Sequence, residues 1–387
     1  MFILQQGHGM FSSMDEFFTD HNNSGVILSP RAAEREQLER YLPSIKRHPG
    51  TLVLFDPNFY EPRTDHNKIL TYPYFENFNF QTATFNNNDL CRGVIDYQIN
   101  VLELEKIILP GRYCNSLNES WQGMQRTFAD IGREYREEYE VYSTLSLGPD
   151  LILNSDHFNS ILDETINYPV DGVYIIYEHQ VRQEMLNEEF LYVMLSAILS
   201  LSLSGKKIIL GYGNQQSSIF YAAGADYLAS GNYRNVRSFD HTNLMEQDSE
   251  RRKSVWYFDG YSFGEYKIPT LSLAFRRGLR DNFGPITNYN MQLLSAANPT
   301  LAGWREPDSF RNYFDQLYQL CNMLSGLPKN ARALRLVRVF SDIQTTIERL
   351  TSRGFNFGER GFNGVINATQ AALSAFITDR GTDIQNL

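Results

Sequence analysis

The chain has 387 residues, of which 42% are hydrophobic and 21% are charged, and its formal net charge is −10. This composition is typical of a folded globular protein and excludes a disordered or fibrous chain. The charge is unevenly divided, because residues 270–387 carry 13 Lys and Arg against 9 Asp and Glu, whereas residues 1–269 carry 22 against 36. The basic C-terminal part indicates either an ordinary solvated surface or a contact with an acidic partner.

The cysteines and the apolar runs give expectations about location and cofactors. Cys91, Cys114 and Cys321 form no CxxC pair, which argues against a structural zinc site and against a disulfide framework. The most apolar run, 190–203, is too short to span a bilayer. Residues 1–19 lack the pattern of a signal peptide, and we interpret them as a loose leader. We therefore expect a cytoplasmic protein with no membrane contact, no metal and no cofactor.

Residues 20–268 alternate short apolar runs with amphipathic helical patterns. The predicted strands are 25–29, 51–55, 106–109, 141–147, 172–177, 207–210 and 225–229. The best candidate for an eighth strand is 255–258, which has an alternative pairing as a hairpin with 261–266. This alternation predicts an α/β fold, a TIM-like (β/α) barrel.

Two further segments depart from the alternation. Residues 59–84 are aromatic, polar and too long for an ordinary connection, so we expect them to cover the barrel mouth. From residue 269 to 387 the apolar strands disappear, and helical patterns occupy 312–326, 330–353 and 363–380. The sequence therefore predicts a helical C-terminal domain after the barrel.

In a barrel of this kind, the residues that follow each strand meet at one rim. Asp56 and Glu178 are two carboxylates at this rim, and such a pair suits acid/base or glycosyl chemistry. Asp56 has the alternative of capping its own Asp-Pro turn, and Glu178 that of pairing with an arginine. His179 has the alternative of a packed or solvent-facing ring. The other predicted substrate-binding residues are Asn58, Arg112 (for an anion or phosphate), His179, Tyr212, Gly213, Asn214, Ser230, Asn232 and Arg234.

Three arginines in the C-terminal part recur at helical spacing. Arg332, Arg335 and Arg338 predict a basic stripe that faces outward from its helix. Such a stripe is either a solvated face or a contact with nucleic acid or an acidic protein surface. The second reading implies an oligomer or a larger complex.

The stretch from Leu210 to Asn235 resembles the late barrel of tRNA-guanine transglycosylases. The similarity lies in Leu210-Gly-Tyr-Gly213, in Gly224-Ala-Asp-Tyr-Leu-Ala-Ser230 and in Tyr233-Arg-Asn235. The resemblance implies a barrel that exchanges a base in nucleic acid, with Asp56 in the place of an aspartate that contacts the base. The family's nucleophilic aspartate would fall near Ala229, and its cysteine-rich zinc site has no counterpart here.

Two hypotheses about function follow. The first is an enzyme-like pocket at the barrel mouth that acts on or binds a nucleotide or a nucleic-acid base, with transglycosylase-like or glycosidase-like chemistry. Here Asp56 and Glu178 do acid/base work and Arg112 binds phosphate. The second is a barrel without catalytic activity that serves as a binding or assembly subunit of a larger complex. It depends on the alanine at position 229, the absent zinc ligands and the uneven charge.

Overall fold

The computed structural model describes residues 1–61, 67–75, 87–179, 185–244 and 255–387. Its strands, in chain order, are β1 Phe2–Gln5, β2 Gly25–Leu28, β3 Leu52–Phe55, β4 Lys106–Ile108, β5 Tyr113–Cys114, β6 Glu140–Leu147, β7 Gly172–Tyr177, β8 Lys207–Leu210, β9 Tyr227–Ser230, β10 Trp256–Phe258 and β11 Glu265–Lys267. Its α-helices are α1 Phe11–Asp20, α2 Arg35–Lys46, α3 Asn87–Asp96, α4 Glu119–Arg133, α5 Pro149–Ile152, α6 Ser155–Ile166, α7 Glu188–Leu203, α8 Ile268–Arg276, α9 Met291–Ser295, α10 Glu306–Ser325, α11 Arg332–Ser352 and α12 Ile366–Gln385. No helix in these ranges is both long and apolar enough to cross a membrane.

Eight parallel strands form a nearly closed barrel, which confirms the predicted TIM-like fold. The hydrogen-bonded order is β3-β2-β1-β9-β8-β7-β6-β4, and the short β5 pairs with the end of β6. The inward side chains are mostly aliphatic or aromatic, and they fill the interior as a packed core. Helices cover the outside, so the strands are buried on both faces, and most of them have an almost continuous apolar sequence; β6 is the most polar, with Ser143, Thr144 and Ser146 all buried.

The barrel has a seam between β3 and β4, the two ends of the hydrogen-bonded order. Gln98, from a π-helix at Tyr97–Val101, is fully buried beside β4. Its amide accepts a hydrogen bond from the backbone N–H of Ile108 (3.0 Å) and donates one to the carbonyl of Ile108 (2.9 Å). A side chain thus satisfies backbone groups that a neighbouring strand would otherwise satisfy.

The first strand corrects two predictions. Residues 1–19 are not a loose leader, because β1 pairs in parallel with both β2 and β9 and α1 follows it. The prediction of an eighth barrel strand at 255–258 is wrong, since β1 already occupies that place. Instead β10 and β11 form an antiparallel hairpin, the alternative pairing that the sequence allowed. The apolar run of β1, Phe2-Ile-Leu4, is as long as that of β8, but no predicted helix precedes it to reveal the alternation of strand and helix.

The C-terminal region is helical, as predicted, and it packs on the barrel wall. Buried contacts join it to the barrel: His21, just after α1, lies 2.9 Å from the Asp315 carboxylate of α10. Arg237 and Arg360 both contact the carboxylate of Glu265, at 2.5 and 2.8 Å. The predicted division of the chain at residues 268 and 269 stays a prediction.

Candidate functional site

Asp56 lies at the carboxyl end of β3 and is completely buried inside the barrel mouth. Its Oδ1 accepts hydrogen bonds from the backbone N–H of Asn58 (2.8 Å) and from the hydroxyl of Tyr60 (2.6 Å). Its Oδ2 accepts a hydrogen bond from the hydroxyl of Tyr174 (3.1 Å), which reaches across from β7. Gly211 makes room for that ring, because a Cβ at this position would lie 2.6 Å from the Tyr174 hydroxyl.

Burial raises the pKa of Asp56 from 3.8 to about 6, because a charged carboxylate loses its hydration inside the barrel. Hydrogen bonds from Tyr60, Asn58 and Tyr174 act in the opposite direction and limit the rise in pKa. The guanidinium of Arg31 lies close enough to interact electrostatically with Asp56. Asp56 can therefore hold or release a proton near neutral pH, as a general acid or base must.

The backbone beside Asp56 is strained at two residues. Asn58 has a φ of 51° and Tyr212 a φ of 53°, in the left-handed region that side chains larger than glycine rarely adopt. The two residues meet, since the Tyr212 hydroxyl is 3.4 Å from Oδ1 of Asn58. Asn tolerates this region, whereas for Tyr212 it is unusual, and the same backbone geometry also occurs away from the mouth at Asn23, Glu103 and Phe263.

Gln5, at the end of β1, completes this inner layer and was missed by the sequence analysis. It is fully buried, and its Oε1 accepts a hydrogen bond from the Tyr212 N–H (3.5 Å). The same oxygen is 3.4 Å from the Tyr174 hydroxyl, whose single proton is shared between Gln5 and the nearer Asp56 carboxylate. Its Nε2 has no hydrogen-bond partner among the described residues. A buried amide donor without a partner is costly, and it offers a hydrogen bond to a ligand or a water.

Phe239 separates the inner layer from a cavity nearer the solvent. Its ring packs on Tyr60 and Tyr212, each with centroids 5.4 Å away, and on Tyr113 at 6.1 Å. Its backbone forms a bridge with Glu178, just beyond β7. Asp56 and Glu178 therefore do not form an open pair, because Asp56 is completely buried behind Tyr60, whereas Glu178 lies beside Phe239.

The cavity beyond Phe239 has a volume of about 260 Å³ and surrounds Glu178. The Glu178 carboxylate is 2.7 Å from Nδ1 of His241 and also accepts a hydrogen bond from the Tyr113 hydroxyl. The rings of Tyr113 and His241 stack, with centroids 4.4 Å apart. The other lining residues are Asn115, Pro149, His179, Phe239 and Asp240.

His179 lines this cavity, whereas Arg112 precedes the lining residue Tyr113 and is not itself a lining residue. The guanidinium of Arg112 is 5.9 Å from the centre of the Phe59 ring, and burial lowers its pKa while Glu61 raises it. Nε2 of His179 is 3.4 Å from the Ser238 hydroxyl. The prediction that Arg112 binds phosphate stays a prediction.

The remaining predicted substrate-binding residues have structural contacts. Asn214 accepts a hydrogen bond from the Gln216 N–H (2.9 Å) at the start of a 3-10 helix, Gln216–Ala223. Gly213 approaches Leu228 so closely that a Cβ would clash at 2.4 Å. Ser230 points out of the barrel, towards the hydroxyl of Tyr313 (3.1 Å). Asn232 reaches the carbonyl of His8 (3.4 Å), and Arg234 begins a 3-10 helix, Arg234–Val236.

The prediction that three arginines of α11 face outward is wrong for Arg332. Arg332 is buried, because its guanidinium donates hydrogen bonds to the carbonyls of Ala225 (3.0 Å) and Leu327 (3.2 Å). Arg335 and Arg338 are exposed, as predicted.

The segment 59–84, which was predicted to cover the barrel mouth, falls largely outside the described residues, which include only 59–61 and 67–75 of it.

A larger groove of about 490 Å³ opens at the opposite, amino end of the barrel. Two ion pairs within the protein occupy it, Arg136 with Asp171 at 2.7 Å and Lys207 with Glu140 at 2.8 Å. Lys206 donates to the backbone carbonyl of Tyr168 at 2.6 Å. Since active sites of such barrels lie at the carboxyl end, the smaller cavity at Glu178 is the better candidate.

The cavity residues that the sequence analysis missed lie outside the predicted strands, in the short β5 and in the segment that ends with a 3-10 helix at His241–Leu244. Tyr113, Phe239, Asp240 and His241 line the cavity, yet they do not directly follow a predicted strand. The dipeptide Asp240-His241 was the available signal, because both residue types act in acid/base and metal chemistry. Its closeness to Glu178, more than 60 residues away in sequence, becomes visible only in three dimensions.

No protein-family model matches the chain, and no curated protein matches it. Solved structures match at low similarity. The enoyl reductase domain of MlnA, from the macrolactin biosynthesis cluster of Bacillus amyloliquefaciens, is 10% identical with a TM-score of 0.32, over 99% of this chain and 90% of that chain. The Y628A carboxyl transferase domain of Rhizobium etli pyruvate carboxylase, with pyruvate, is 11% identical with a TM-score of 0.36, over 100% of this chain and 62% of that chain. Such distant matches carry no argument about function, and the resemblance to tRNA-guanine transglycosylases stays a prediction.

Proposed function

We propose that the cavity at the barrel mouth binds a nucleobase, in a nucleotide or in nucleic acid, and acts on it by acid/base chemistry. The observation that carries this proposal is the composition of the cavity around Glu178. Three flat rings, from Tyr113, Phe239 and His241, stand beside a carboxylate. A planar base can stack on such rings, and its N–H groups can donate to the carboxylate.

The two carboxylates have different roles in this proposal. Glu178, at the cavity, accepts the N–H groups of the base. Asp56, whose pKa is raised to about 6 by burial, supplies or takes the proton when Phe239 moves off Tyr60 and Tyr212. Glycosyl chemistry uses two carboxyl groups with separate protonation states, which is why this pair suits it. The resemblance of residues 210–235 to base-exchanging enzymes supports the same substrate class.

Binding of free bases, nucleosides and nucleotides, measured by calorimetry, tests the proposal. Glu178→Gln removes the charge but keeps the shape, so the dissociation constant of the best ligand should rise at least about 10-fold. Glu105→Gln, an exposed site before β4 at the other end of the barrel, is the control and should leave binding unchanged. The proposal fails if no member of the panel binds, or if Glu178→Gln binds it as wild type does.

A barrel without catalytic activity, working as an assembly subunit, is the second candidate. The observation in its favour is that Asp56 is completely buried, so the inner carboxylate has no contact with solvent. An exposed face of α11 offers a contact surface: Leu334 is 60% and Val337 is 42% exposed, beside Arg335 and Arg338. Sedimentation of the double variant Arg335→Glu, Arg338→Glu, with and without nucleic acid, tests this candidate.

A further inference from the structure

Glu178, Asp240 and His241 form a cluster at the cavity that extends beyond the proposed base-binding role. One carboxylate oxygen from each acid and one ring nitrogen of His241 all lie within 4.8 Å of one another. The three side chains are half-buried, so they are open to the cavity on one side. Carboxylate oxygens and an imidazole nitrogen at this spacing are groups that can share one cation.

Neighbouring groups hold each of these three side chains in place. The Tyr113 hydroxyl donates to Glu178, and the Tyr113 ring stacks on His241 at an interplanar angle of 13°. The Thr242 N–H (2.9 Å) and hydroxyl (2.6 Å) both donate to Oδ1 of Asp240. Metal ligands in proteins are characteristically oriented by such outer hydrogen bonds and packed rings. An ordinary surface ion pair has no need of them.

The chemistry of the three ligand atoms restricts which metal ions this cluster can bind. One imidazole nitrogen and two carboxylate oxygens suit a first-row divalent cation such as Mn²⁺, Fe²⁺, Co²⁺ or Zn²⁺. All three ligands come from the mouth side, and the adjoining cavity of about 260 Å³ leaves room for further ligands such as water. We propose that Glu178, Asp240 and His241 bind one divalent transition-metal ion whose open positions face the cavity. The sequence-based expectation of no metal missed this arrangement, because its ligands are not clustered in sequence.

The metal site concerns the same cavity as the proposed function but does not depend on it. In the metal-free protein, His241 is hydrogen-bonded to Glu178, and an ion would replace that bond with two metal–ligand bonds. With the ion bound, Glu178 would be a ligand, and a water on the metal would be more acidic than in bulk. Binding of the ion alone can therefore succeed or fail independently of any base.

The test is equilibrium dialysis of the tag-free full chain against Mn²⁺, Co²⁺ or Zn²⁺, followed by elemental analysis. Wild type should bind one ion per chain. Asp240→Asn combined with His241→Ala should weaken binding at least about 10-fold, because it removes two of three ligands. With Co²⁺, the visible absorption of the bound ion should change when His241→Ala alone removes the nitrogen ligand.

Asp156 and His157 provide a matched control. They are the same dipeptide, exposed at the start of α6, and the double variant Asp156→Asn, His157→Ala makes the same chemical change there. This control should bind the ion as wild type does, and thermal melts should show that both double variants are folded. Equal binding by the two double variants, or no binding by wild type, would overturn the metal site and leave the base-binding proposal untouched.

Discussion

At the scale of single residues, the barrel mouth holds two carboxylates in opposite environments. Asp56 is sealed from water and receives hydrogen bonds from Tyr60, Tyr174 and the Asn58 backbone. Glu178 has a side chain that is 13% exposed and adjoins an open cavity. Sequence reasoning identified both as rim carboxylates, since each follows a strand. It did not identify Tyr174, whose hydroxyl reaches Asp56 from inside β7, because a tyrosine within an apolar strand is indistinguishable from core.

The raised pKa of Asp56 predicts a pH dependence of stability. The folded state binds a proton more tightly than the unfolded state, so Asp56 costs stability increasingly as the pH rises from about 4 to about 6. The full cost corresponds to about 3 kcal/mol. Asp56→Asn cannot ionise, so its stability relative to wild type should improve by up to this amount between pH 3.5 and pH 7. Urea unfolding at several pH values measures the difference.

The control variant, Asp15→Asn, should show a pH dependence of stability with the opposite sign. The pKa of Asp15 is lowered by hydrogen bonds from His48 and Arg47, so its ionised form stabilises the folded state. Asp15→Asn should therefore become less stable relative to wild type as the pH rises through the acid range. A difference for Asp56→Asn that stays constant with pH would show that Asp56 keeps an ordinary pKa.

At the scale of elements, the positions of most strands could be predicted from the sequence, but how the elements pack against one another could not. Residues 173–177 and 208–210 are continuous apolar runs, the pattern of strands buried on both faces, and they form most of β7 and β8. The apolar run of β1 is as long as that of β8, but β1 was missed because no predicted helix precedes it to reveal the alternation. The buried position of Arg332 was equally unpredictable, since helical spacing cannot show which face of α11 meets the barrel.

Arg332 and Arg335 should differ in their contribution to stability. Arg332 donates to two backbone carbonyls and lies 5.7 Å from the centre of the Tyr221 ring, whereas Arg335 is exposed and contacts only the sulfur of Met323 among the described residues. Arg332→Ala leaves those carbonyls without their charged donor and should cost about 2–3 kcal/mol. Arg335→Ala should change stability by less than about 0.5 kcal/mol. Denaturant unfolding measures the stability of both variants. Equal losses of stability in the two variants would contradict the structural role of Arg332.

At the scale of the whole molecule, charge and exposed apolar side chains coincide on α11. Arg335 and Arg338 flank the exposed Leu334 and Val337, on a basic region attached to an acidic barrel. The second candidate function expects this face to contact nucleic acid or the acidic barrel of another copy. The double variant Arg335→Glu, Arg338→Glu should then lose that association, and high salt should weaken it in wild type. Sedimentation with and without nucleic acid distinguishes the two partners.

The matched control for this face lies on the same helix region. Arg349 and Arg353 are also exposed, and replacing both by Glu makes the same charge change away from Leu334 and Val337. This variant should sediment as wild type does. If the Arg335, Arg338 variant also matches wild type in sedimentation and in nucleic-acid affinity, the face is merely solvated.

The hydrogen bond from the Tyr174 hydroxyl to Asp56 links two opposite parts of the barrel mouth. Tyr174 belongs to the strand that ends just before Glu178, and Asp56 follows a strand on the far side of the barrel. The bond thus crosses the barrel interior and joins Asp56 to the strand that leads to the cavity. A protonated Asp56 is a weaker hydrogen-bond acceptor than the ionised carboxylate, so protonation should weaken this bond. The protonation state of Asp56 thus acts on a tyrosine that lies only four residues before Glu178 in the sequence.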